Sequence, residues 1–142
     1  MNELITNLIK QICSDLNIEV PGISNDVSMF PTSTTIAMAD VEKNIIYIKE
    51  QNVNPDLIFA IIHELRHMWQ YKTNKIKYMH NYKTSKELSV EEYNLQIAEI
   101  DANAYAGLIM INNFGLKPQW NGLSDNVIRS IEKRITELIT NK

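Results

Sequence analysis

The sequence predicts an α+β fold in a single domain, residues 1–142. Three observations point there. Apolar residues recur at helical spacing near both ends of the chain, at 3–16 and 127–139. Between 34 and 49 the residues are β-branched and alternate in places, as in a short β-hairpin. An unbroken apolar stretch from Leu57 to Trp69 then reads as a helix carrying His63-Glu64-Leu65-Arg66-His67. A second helix, rich in acidic and small residues, follows it.

Composition narrows the function classes. Hydrophobic residues make up 44% and charged residues 22%, an ordinary balance for a soluble globular protein. A net charge of −3 does not advertise nucleic acid or an anionic membrane as partner. Cys13 is the single cysteine, so neither a disulfide framework nor a cysteine-based zinc cluster is expected. It falls in a helical stretch and reads as a small packing residue. No run of 18 apolar residues suggests a membrane span, and Glu3 and Asn7 interrupt any signal-like N-terminus. The expectation is a soluble, cytoplasmic protein; its oligomeric state is not legible.

In order, Leu4, Ile5, Leu8, Ile9, Ile12 and Leu16 form one stripe of an amphipathic helix over 3–16. Ile18 and Val20 make a short extended piece that Pro21-Gly22 ends, and 23–33 reads as irregular. The hairpin pairs a run around Ile36 and Met38 with one around Ile46 and Ile48, joined by the polar stretch 40–44. No Asn-Gly or Asp-Gly pair fixes its register. The motif helix spans about 55–72: Asn54 is a good N-cap, Pro55 suits the first position, and Asp56 complements the helix dipole. Residues 71–86 read as a loop with five lysines (72, 75, 77, 83, 86), three further tyrosines or histidines after Tyr71 (Tyr78, His80, Tyr82) and no acid. Ser89-Val90-Glu91-Glu92 has capping-box form and opens a second long helix to about Ile111, before Gly115. After a loop over 116–123, Val127, Ile128, Ile131, Ile135, Leu138 and Ile139 mark a last amphipathic helix.

The spacing H-E-x-x-H carries chemistry. Residues four apart on a helix lie one above the other, so His63 and His67 can present two imidazoles to one cation. Glu64, one residue round, sits where a general base must be to take a proton from metal-activated water. Two histidines alone hold zinc weakly, and a catalytic site needs a third protein ligand. Glu99, Asp101 and His80 are the candidates. Glu99 and Asp101 lie about 200° apart on an ideal helix, at about 100° per residue, so both cannot face one ion. Small residues (Ala98, Ala102, Ala104, Ala106, Gly107) would let this helix approach another closely, and Asn103 shares a face with Glu99. The spacing of a third histidine after His67 that marks another class is absent, because Gln70 and Thr73 occupy those positions.

His63-Glu64-x-x-His67 followed by Glu99-x-x-Ala102-Asn103-x-Tyr105-Ala106 resembles the gluzincins, zincins whose third ligand is a helical glutamate. It is most similar to the ImmA/IrrE-like metallopeptidases, with their H-E-x-x-H and E-x-x-A-N-x-F-A segments. The resemblance covers about 35–110 and implies a minimal zincin-like core in which His63, His67 and Glu99 bind zinc. Glu64 would be general base, Tyr105 would fill an aromatic packing position, and the substrate would be a peptide or protein. Arg66 departs from the glycine often found before the second histidine; a large residue there is compatible with an exposed helix face. The lysine-rich insertion is long for that family. Tyr78, His80, Tyr82 and Arg66 are candidate oxyanion donors. A second reading, of a different class, is a catalytically inert zincin-like binding or regulatory module acting through loop 71–86.

Overall fold

The computed structural model describes residues 2–141 and shows an α+β protein. Its elements run α1 (Glu3–Leu16), β1 (Gly22–Ser24), β2 (Ala37–Asp40), β3 (Ile45–Ile48), α2 (Pro55–Met79), α3 (Val90–Asn94), α4 (Ile97–Phe114) and α5 (Asp125–Thr140). The backbone divides into two compact units, Met1–Thr73 and Asn74–Lys142. Among the described residues no helix is long and apolar enough to cross a membrane.

In the first unit, α1 is capped at both ends by its own sequence. Asn2 accepts the Leu4 N–H at 2.7 Å, and Asn17 turns left-handed (φ 55°) to end the helix. Ile5, Ile9, Ile12, Cys13 and Leu16 are its buried stripe. The hairpin forms as expected, β2 antiparallel to β3, and its register pairs Ala37 with Ile48 and Ala39 with Ile46. The inward face of β2 is therefore Ala37 rather than Met38: side chains alternate, and the buried Ile46 and Ile48 lie opposite the alanines. Asp40 accepts the Lys43 N–H at 3.0 Å and Asn44 adopts φ 57°, a turn built without glycine.

One strand escaped the sequence reading. Gly22–Ser24, expected to be irregular, pairs parallel to β3 and gives the order β1-β3-β2, while Ile18 and Val20 lie outside any strand. Three residues show no period, and the pairing that creates this strand lies more than twenty positions away.

The motif helix begins as predicted. Asn54 accepts the Leu57 N–H through its side chain at 2.9 Å, and Leu57, Ile61, Ile62, Leu65 and Met68 are buried along it. It ends later than the expected residue 72. Asn74 leaves helical geometry (φ −155°, ψ 68°), but its carboxamide oxygen accepts the Lys77 N–H at 3.2 Å and starts a further helical turn. The expected loop 71–86 is thus helical as far as Met79.

In the second unit, Ser89 and Glu92 form the expected capping box, yet the helix they open stops at Asn94. Gln96 takes an extended conformation and α4 starts afresh at Ile97. The physical cause is long-range. The Gln96 carboxamide accepts the Lys83 N–H at 2.8 Å and donates to the Lys83 carbonyl at 3.0 Å, a clasp on a chain segment thirteen residues earlier. Gly115 then ends α4 in left-handed geometry (φ 66°), its N–H and that of Leu116 returning to Ile111 and Met110. α4 packs on α5 through Ala104, Val127 and Ile131, with Trp120, Leu123 and Ile135 around them. Gly107 serves this packing: a Cβ there would lie 3.0 Å from the Trp120 ring and 3.3 Å from Pro118.

Candidate metal centre

α2 holds the two motif histidines one turn apart, as the i, i+4 spacing requires. Their Nε2 atoms stand 3.1 Å from each other, with ring centroids 4.7 Å apart and planes nearly perpendicular. Two ring nitrogens this close on one helix face belong to a group of side chains that could hold a metal ion. His67 is buried, and its Nδ1 lies 2.8 Å from the Gln70 side-chain oxygen. A carboxamide oxygen only accepts, so Nδ1 carries the proton and Nε2 keeps the lone pair that a metal needs. Gln70 is fully buried and orients the ring, which is how ligand histidines are commonly held. Its i+3 placement from His67 is the sequence signal for this contact.

Glu99 lies on the first turn of α4 and is only 2% exposed. The Tyr82 hydroxyl donates to its Oε2 at 2.7 Å, and the Tyr93 hydroxyl lies 3.0 Å from the Tyr82 oxygen. Burial first, then the nearby Glu99 charge and the bond with Tyr93, push the Tyr82 hydroxyl far above its usual range. It remains a protonated donor across the working pH range. Ala98 and Ala102 flank Glu99, and Asn103 and Tyr105 are buried further along the helix.

The other candidates are occupied differently. Asp101 is 1% exposed and takes Nε and Nη2 of Arg134 at 2.9 and 2.8 Å. Burial works against the Arg134 charge, but the hydrogen bond and charge of Asp101 outweigh it and raise its pKa. Arg134 also reaches Glu137 at 3.1 Å and the Tyr78 hydroxyl at 3.4 Å. Asp101 therefore belongs to a structural ion pair between α4 and α5. His80 is exposed and lines a surface cavity of about 180 Å³ with Tyr78, Tyr82 and Gln96. Arg66, compatible in sequence with an exposed helix face, is instead buried at 5% exposure, its guanidinium stacked 3.6 Å from the Trp69 ring centroid. Glu64 is half-buried on α2 beside His63.

Residues 24–131 match the model of a family described as "Putative metallopeptidase family (DUF6782)". The chain belongs to this family. The matched span of the DUF6782 family contains both the His63–His67 motif and the Glu99 segment, so a metallopeptidase assignment and a bound metal ion agree with what the side chains can do. No curated protein and no solved structure matches the chain.

Proposed function

We propose that this member of the DUF6782 family is a zinc-dependent peptidase of gluzincin type, with His63, His67 and Glu99 as metal ligands and Glu64 as general base. The observation that carries the reading is the ligand set. Each of the three residues offers one ligand atom, and these atoms lie within 4.8 Å of one another. Two neutral imidazoles and one carboxylate suit zinc and leave a coordination position for water or substrate. The His67 tautomer set by Gln70 fits the same purpose. The finer resemblance to ImmA/IrrE-like metallopeptidases rests on the same two segments. A reducing, cytoplasmic setting fits the lone buried thiol of Cys13.

A zinc ion in such a set supplies Lewis acidity, acidifying water and polarising a carbonyl. The chain's own residues do the rest. His63 and His67 hold their positions because one rigid helix carries both. Glu99 contributes a negative charge that would otherwise be costly to bury. Glu64, displaced about 100° round the helix from His63, takes the proton of the attacking water and delivers it to the departing amine. The substrate is a peptide or protein.

The test is Glu64→Gln. Protein purified without added metal should carry about one zinc per chain, as expected of a site with three protein ligands. Wild type should cleave members of a peptide library, and the variant should keep its zinc and lose cleavage. Hydrolysis that survives the substitution would remove Glu64 from the mechanism. Zinc without cleavage in wild type would favour an inert binding module.

A further inference from the structure

We propose that Tyr82 is a positioning residue for the Glu99 carboxylate and that Tyr93 holds Tyr82 in turn. The inference deepens the metal-site reading above and rests on it. In the sequence the segment around Tyr82 reads as part of a lysine-rich loop. Its tyrosine instead turns inward to a buried acid, donating to Glu99 Oε2 at 2.7 Å. A phenol has one proton, so with that proton given to Glu99 the 3.0 Å contact to Tyr93 must have Tyr93 as donor. The chain of hydrogen bonds therefore has one direction, from Tyr93 to Tyr82 to Glu99.

Each link is anchored by backbone. Tyr93 sits in α3, whose first turn is fixed by the Ser89–Glu92 capping box. Tyr82 is pinned by the Gln96 carboxamide, which bonds both the N–H and the carbonyl of Lys83, its chain neighbour. Gln96 also donates to the Tyr93 carbonyl at 3.2 Å. Gln96 immediately precedes α4, and Glu99 is in that helix's first turn. The break between α3 and α4 that the sequence did not reveal thus brings together the residues that orient position 99. A glutamate has three rotatable side-chain bonds, and the fixed Tyr82 donor on Oε2 removes some of that freedom before any metal arrives.

The experiment measures Zn²⁺ affinity by competition with a chromophoric chelator in wild type, Tyr82→Phe and Tyr93→Phe. Losing an outer hydrogen bond to a ligand typically weakens metal binding by about 10–100-fold, and Tyr82→Phe is expected in that range. Tyr93→Phe leaves the bond to Glu99 in place and should give a smaller loss. A purely structural tyrosine would lower the melting temperature of the metal-free protein and leave the visible absorption of the Co²⁺-loaded protein unchanged. A positioning residue should alter that absorption. Tyr82→Phe with Zn²⁺ affinity within about twofold of wild type would overturn the proposal. Should that variant fail to fold, unchanged affinity in Tyr93→Phe would overturn it equally. Wild-type protein that takes up no Zn²⁺ would instead sink the metal-site reading itself, and this inference with it.

Discussion

Replacing Asp101 by asparagine separates the two acids that the sequence could not tell apart. Asp101 is 1% exposed and binds Arg134 through two nitrogens at 2.9 and 2.8 Å, while the arginine side chain is 21% exposed. Breaking a fully buried pair costs about 3–5 kcal/mol, and an exposed pair contributes about 0–1 kcal/mol. This pair lies between those limits. Arg134 retains Glu137 and the Tyr78 hydroxyl, and asparagine keeps one acceptor oxygen. The expected cost is therefore about 2 kcal/mol. At about 2–4 °C per kcal/mol for a chain of this size, the melting temperature should fall by about 4–8 °C. Arg134→Met in the same chain should recover part of the loss, because it removes a partly buried charge that Asp101 no longer offsets. Metal content should be untouched in both variants. Circular dichroism melts and metal analysis on the same preparations decide the matter. An Asp101→Asn protein that melts like wild type but has lost its metal would refute the reasoning and make Asp101 the ligand.

Two further outcomes follow from packing and ionisation. Gly107→Ala should destabilise by about 1 kcal/mol, because crowding Trp120 and Pro118 costs about 1–3 kcal/mol against a helix-propensity gain of about 1 kcal/mol. A chemical-denaturation midpoint above wild type would show that the 116–123 loop yields freely. Burial raises the Cys13 thiol to about 11, with Lys72 opposing weakly. Compared with a thiol at the ordinary value of 9.0, its thiolate fraction near pH 8 is about 100-fold smaller. Alkylation of the native protein should be slow and should accelerate on unfolding. The unfolded chain loses this proton first, so stability should decline as pH rises from about 9 towards 11. A native thiol that reacts as fast as the unfolded one would contradict the burial.

The local elements were largely legible because their causes are local. The caps at Asn54, Ser89 and Gly115 use side chains or backbone freedom within three or four residues of the helix end, and each behaves as read. The His63–His67 pair is equally local, since one helix turn sets its spacing. The hairpin was legible as a unit, though its inward face was not, because Met38 and Ala37 are both apolar enough to be buried and the register comes from pairing.

What the sequence determined by itself was thus the terminal helices, the start of the motif helix, the caps and the pair of imidazoles on one face, all governed by interactions between near neighbours. Only the tertiary structure decided the parallel strand at Gly22–Ser24, the break before α4 and the partners of the two acids. Glu99 and Asp101 are two residues apart and chemically alike. One meets a phenol from seventeen positions upstream and the other a guanidinium from thirty-three positions downstream. Contacts at such separations leave no periodicity in the chain, because their energy depends on where the backbone returns and not on what lies next in sequence.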